Sequence, residues 1–125
     1  MPFNWVDYLQ LAQTLASNAD EASKRSAISR AYYSVFNLAY ARVVQNHGQK
    51  PQGVGSHEWC WDAYTNNADI NCRRIGIAGK RLKRDRVWAD YKDHQKLRLH
   101  DECNQIILDV RQLHTDLAGL AANQP

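Results

Sequence analysis

A chain of 125 residues, 44% apolar and 23% charged, has the size and make-up of one folded domain and is too apolar for intrinsic disorder. The formal charge is only +3, yet Arg73–Arg86 holds seven basic residues against one acid, leaving nine basic and twelve acidic residues elsewhere. No run approaches the roughly eighteen apolar residues of a membrane span, and Met1-Pro2-Phe3-Asn4-Trp5 lacks the basic segment and apolar run of a signal peptide.

In chain order, Asn4 is placed to cap a first helix over about Trp5–Ser17, with Trp5, Leu9, Ala12, Leu15 and Ala16 at helical spacing. "SNAD" breaks that pattern, and Asp20 caps a second helix running to about Asn46. Ile28, Ala31, Val35, Leu38 and Ala39 share one of its faces, with Tyr32 and Phe36 beside them. "HGQKPQGVG" reads as a loop, after which Ser56 caps a short aromatic helix, "HEWCWDAYTN". A further helix is expected over about Ala68–Arg84, weakened by roughly 1 kcal/mol at each of Gly76 and Gly79. Asp85–Asp93 is ambiguous between frayed helix and extended linker. The last helix, about Gln95–Ala122, is the clearest, because Cys103, Ile106, Val110, Leu113, Leu117 and Leu120 recur every three or four residues. The expectation is an all-α, up-and-down bundle of four to five helices over residues 1–125 as a single domain.

Cys60, Cys72 and Cys103 are odd in number and contain no CxxC pair, which favours reduced thiols in the cytoplasm over a disulfide framework or a zinc site. His94 and His100 do not share a face as i, i+4 ligands would, and HExxH, P-loop, GxGxxG and GxSxG signatures are missing. No metal and no cofactor is therefore expected. His57, at a helix start, is more often a capping or packing residue than a catalytic one, and His114 reads as solvent-facing.

Arg30 starts near the buried face of the second helix. Its guanidinium either lies along the surface with its stem on Tyr33, or meets Asp90, a helix C-terminus or an external phosphate. Lys80, Arg81, Lys83 and Arg84 have two readings of equal weight. They form a helix C-terminus whose cations complement the macrodipole, or a patch that displaces counterions from nucleic acid. Trp88 and Tyr91 beside them offer stacking surfaces for an unpaired base.

Taken together, Ser29-Arg30-Ala31-Tyr32-Tyr33-Ser34-Val35-Phe36 and Arg86-Val87-Trp88-Ala89-Asp90-Tyr91, with Gly55-Ser56-His57 between them, resemble the small bacterial HEPN proteins over residues 20–117. The resemblance implies a helical bundle forming a homodimer. It also implies a metal-independent ribonuclease acting on RNA, as a toxin or a component of an antiviral defence system. The family's signature is Arg, four to six residues, then His; arginine holds the phosphate while a base takes the 2′-hydroxyl proton. Here Tyr91 stands where that histidine first falls, and the next histidine is His94. The implied catalytic group is thus Arg86, Asp90, Tyr91 and His94. Lys80, Arg81, Lys83, Arg84, Arg30, Tyr33 and Trp88 are the candidates for binding RNA or a nucleotide. Tyr91 is also, by position, a candidate for AMP transfer by a nucleotidyltransferase antitoxin partner. The alternative is a non-catalytic HEPN module that binds nucleotide, RNA or such a partner, and a third possibility is a purely structural interaction domain. The stripe from Cys103 to Leu120, or the segment around Trp59 and Trp61, is the expected dimer surface.

Overall fold

A computed structural model describes residues 2–125. Five helices follow one another: α1 (Val6–Ala16), α2 (Glu21–His47), α3 (Ser56–Thr65), α4 (Ile70–Tyr91) and α5 (Leu99–Ala118), with no strand among the described residues. The fold is an all-α bundle. No described helix is long and apolar enough to cross a membrane.

α2 is the axis of the bundle and packs against all four other helices. Its start follows from Asp20, whose carboxylate accepts the Ser23 N–H at 2.9 Å, and that bond lowers the Asp20 pKa. It ends at Gly48, whose φ of 85° suits glycine and whose N–H returns to the Val44 carbonyl at 2.8 Å. Between these ends Ala27, Ile28, Ala31, Tyr32, Val35, Phe36, Ala39 and Val43 are buried. Two polar side chains at this core are paired. Lys24 donates to the last-turn carbonyl of Ala16 at 2.7 Å, and the Tyr64 hydroxyl donates to the Ala39 carbonyl at 2.9 Å.

The expected stripe of α5 is buried from Cys103 to Leu117, packing onto α1, α2 and α4. This apolar face is consumed within the chain and offers no free dimer surface, and Trp61, 1% exposed, is likewise a core residue, whereas its neighbour Trp59 is half-buried. The thiols of Cys60, Cys72 and Cys103 are all buried, one each in α3, α4 and α5, and burial pushes their pKa values up.

The main departure concerns α4, an unbroken helix that continues through the ambiguous segment to Tyr91. Asp69 caps it, accepting the N–H groups of Asn71 and Cys72 at 2.9 and 3.0 Å. Gly76 and Gly79 are contact points rather than breaks. A Cβ at Gly76 would lie 2.5 Å from Thr65 Cγ2, and one at Gly79 would overlap the Trp61 ring. Both glycines let α3 and α4 approach closely, which offsets their poor helix propensity. The far end is fastened by Arg25 of α2. It stacks over Trp88 at 4.1 Å and donates to the carbonyls of Trp88 (3.2 Å), Ala89 (3.3 Å), Lys92 and His94 (3.2 Å). The Trp88 carbonyl also accepts the Lys92 N–H at 3.1 Å, whereas the others belong to the last turn, which lacks intrahelical donors, or lie just beyond it. Residues 92–98 form the linker, so α5 begins at Leu99, later than its periodicity suggests.

Candidate functional site

With α4 continuous to Tyr91, Arg86 lies inside the helix and faces α2. It is 5% exposed. Its guanidinium carbon sits 5.3 Å from the Tyr33 ring centre, 5.6 Å from Tyr91 and 5.7 Å from Tyr32. One nitrogen, Nη1, reaches Asp90 at 3.4 Å, and Asp90 in turn accepts the Ser29 hydroxyl at 3.1 Å. The Nε group is buried without a hydrogen-bond partner. A guanidinium has five N–H donors, and here three aromatic faces and one long ion pair carry most of its stabilisation. Faces of this kind are worth about 0.5–2 kcal/mol each. They leave the donors free for an oxyanion in a way that a bidentate carboxylate would not.

His57, in the first turn of α3, borders the same tyrosines. Its ring centre lies 5.6 Å from that of Tyr32 and 6.0 Å from Tyr33, and it stacks on Phe36 at 4.1 Å. Its Nδ1 is 2.6 Å from the Tyr32 hydroxyl, which also receives the Trp61 indole N–H at 2.9 Å. Trp61 can only donate, so the Tyr32 oxygen accepts there and its proton is directed at His57 Nδ1. The network therefore assigns the neutral tautomer with hydrogen on Nε2. Burial, then repulsion from Arg86 and Lys83, pushes the His57 pKa down to about 4. At neutral pH the imidazole is uncharged and presents an N–H donor.

Beside this cluster an open groove of about 250 Å³ is lined by His57, Glu58, Trp61, Lys80, Lys83 and Arg84. Three cations and one carboxylate bias it towards anions. Lys80 is tethered to Asp62 at 2.6 Å, whereas Lys83 and Arg84 pair with no carboxylate among the described residues.

The structure thus brings together Arg86, Asp90, Tyr91 and Tyr33, with Lys80, Lys83 and Arg84 on the adjoining groove. It separates the other sequence candidates. Arg30 lies over Tyr8 of α1 at 5.0 Å, and Ser29 rather than Arg30 meets Asp90. Arg81 turns to Asp109 of α5 at 3.4 Å. Trp88 is 5% exposed beneath Arg25 and Lys96, leaving no open face for a base. His94 belongs to that second cluster: its carbonyl accepts the Trp88 indole N–H at 3.1 Å, and its ring meets the Trp88 edge at 6.3 Å. His114 is not solvent-facing, since its Nε2 lies 2.9 Å from Ser34 Oγ and burial lowers its pKa.

The residues that sequence reasoning passed over are His57, Tyr32 and Ser29. The only signal available was their place in the Gly55-Ser56-His57 and Ser29–Phe36 stretches, because no spacing rule links His57 to Arg86. Among the described residues, no three His, Cys, Asp or Glu side chains gather as metal ligands would. Comparison with protein-family models, with curated proteins and with solved structures returned no match.

Proposed function

We propose that this chain is a HEPN-like protein that binds the phosphates of RNA, or of a nucleotide, at the Arg86–His57 cluster. The observation that carries the reading is the buried Arg86 guanidinium with an unpartnered Nε, set beside a groove lined by Lys80, Lys83 and Arg84. Burying a cation short of partners is costly, and an oxyanion would relieve that cost. The all-α architecture supports the family resemblance. So does the meeting of its two stretches, where Ser29 bonds Asp90 and Tyr32 and Tyr33 face Arg86. In this reading Arg86 and the His57 Nε2–H hold phosphate, Asp90 positions Arg86, and Lys83 and Arg84 attract the strand. Tyr91 is 72% exposed at the end of α4, open to AMP transfer by a nucleotidyltransferase partner. Homodimer formation and a toxin or defence role accompany this proposal as family implications.

A second reading, metal-independent RNA cleavage, is favoured by one observation: His57 restores an Arg–His pair that Tyr91 interrupts in the sequence. It is the weaker reading. A histidine with its pKa near 4 and its lone pair turned to Tyr32 is a poor acceptor for a 2′-hydroxyl proton.

Fluorescence anisotropy with a labelled RNA decamer in low salt tests the proposal. Arg86→Gln, checked for retained helicity by circular dichroism, should weaken binding roughly tenfold to hundredfold, the worth of a charge-assisted hydrogen bond. Unchanged affinity refutes it. Metal-free cleavage by the wild type, lost in both Arg86→Gln and His57→Gln, would establish the second reading instead.

A further inference from the structure

The solvent-facing side of α4 carries Arg73, Arg74, Ile77, Arg81 and Arg84, all exposed, at spacings of three and four residues that place them in one line along the helix. Its acids lie elsewhere: Asp85 is half-buried and Asp90 turns to Ser29 and Arg86. If the basic run ended the helix, its cations would complement the macrodipole. The helix instead continues to Tyr91, and its last turn contains no basic residue. Arg73 and Arg74 lie close to the opposite, N-terminal end, which has no acidic residue in its first turn. Cations there oppose the macrodipole, at a cost of about 0.3–1 kcal/mol. Lys80 with Arg84, and Arg81 with Arg84, add like-charge repulsion at i, i+4 and i, i+3. The arrangement works against helix stability, and packing does not require it.

From this we infer that the exposed face of α4 is a phosphate ladder that carries a single nucleic-acid strand from Arg73 to the Arg86–His57 cluster. The inference rests on the function proposed above and extends it to a surface outside that cluster. Two observations select a nucleic-acid strand over an acidic protein. The line is continuous with the cationic groove, since Arg84 belongs to both. Arg73, Arg74, Lys83 and Arg84 also pair with no carboxylate among the described residues, whereas Arg81 and Lys80 are tethered. At 1.5 Å per residue, Arg73 to Arg84 spans about 16 Å. That matches about five nucleotides of a stacked strand at 3.4 Å each.

Arg86 and the four free cations set the expected salt dependence. For a single strand the slope of log affinity against log salt is about −0.7 per phosphate neutralised. Affinity for a decamer should then fall about 130-fold between 50 and 200 mM salt. The double variant Arg73→Gln/Arg74→Gln keeps three of the five, and its affinity should fall only about 18-fold over the same range. Both substituted residues are exposed, and circular dichroism checks the fold. Binding is measured by anisotropy for wild type, this variant and Arg86→Gln, with RNA and DNA decamers and with a dinucleotide. Support for the ladder is a double variant that binds the dinucleotide like wild type but the decamers with the reduced salt slope. RNA and DNA behaving alike identify the backbone as the ligand; a ladder effect with RNA alone assigns it to RNA. An unchanged decamer slope overturns the ladder while leaving the Arg86 site intact. Loss of all binding to wild type overturns both. Displacement of the decamer by a polyglutamate peptide at equal concentration of charge also overturns the inference, in favour of an acidic protein partner.

Discussion

Replacing Tyr32 by phenylalanine removes one oxygen and tests how the site is assembled. That oxygen accepts the Trp61 indole N–H at 2.9 Å and directs its own proton to His57 Nδ1 at 2.6 Å. Trp61 is 1% exposed, so water cannot replace the lost acceptor, and an unpaired buried donor costs about 1–3 kcal/mol. The less buried His57 regains a water at little cost. The net expectation is a loss of about 2 kcal/mol, since phenylalanine keeps the ring packing on Phe36 and Arg86. In urea unfolding this appears as a lower midpoint with an unchanged slope. NMR of the His57 ring gives an independent readout. The wild type should hold a single Nε2–H tautomer, and the variant a mixture. The His57 pKa of about 4 comes from burial and from Arg86 and Lys83, which the substitution leaves in place, so the tautomer is the discriminating signal. A stability change below about 0.5 kcal/mol, with the tautomer unmoved, would refute the assigned network.

Arg25→Ala removes the guanidinium from four carbonyls at and beyond the end of α4, leaving those of Ala89 and Lys92 without a donor, and uncovers Trp88. It should cost about 2–4 kcal/mol by chemical denaturation and selectively speed hydrogen exchange in residues 86–91. Gly79→Ala drives a methyl into the Trp61 ring, so it should destabilise by about 1–3 kcal/mol despite the better helix propensity of alanine. A gain in stability would show that α3 can move aside. Acidification tests His57. The unfolded chain takes up its proton near pH 6.5, while the folded protein refuses it until about pH 4. The stabilising contribution is therefore complete above pH 6.5 and is lost as pH falls through that interval. Partial exposure holds it to about 1–2 kcal/mol. Burial of His114 acts in the same sense, so wild type must be compared with His57→Gln, which should show a shallower decline of urea midpoint between pH 6.5 and 4.

What could be read from the sequence was what depends on periodicity and local chemistry. Asp20 announces α2 because a cap needs only residues 20 and 23. The α5 stripe is visible because one continuous face is buried, although what covers it is not. The helix expected through Gly76 and Gly79 is present, and the propensity lost there is offset because these glycines are where α3 comes close. Its extension to Tyr91 is not legible locally, because that last turn is held by Arg25, more than sixty residues earlier in the chain. For the site, Arg86, Asp90 and Tyr91 could be picked out through resemblance to a family motif. His57 could not, since its relation to Arg86 passes through Tyr32 and Tyr33 on a third helix. The same tertiary constraint removes Trp88 and His94, which a nine-residue stretch places beside Arg86 in sequence.

The three buried thiols have a practical use. Cys60, Cys72 and Cys103 sit on three different helices, protonated and shielded, so a thiol reagent can reach each only when its own surroundings open. Labelling rates followed one cysteine at a time would resolve the breathing of α3, α4 and α5 separately, without introducing a probe. Adding ligand would then identify which helix it quiets.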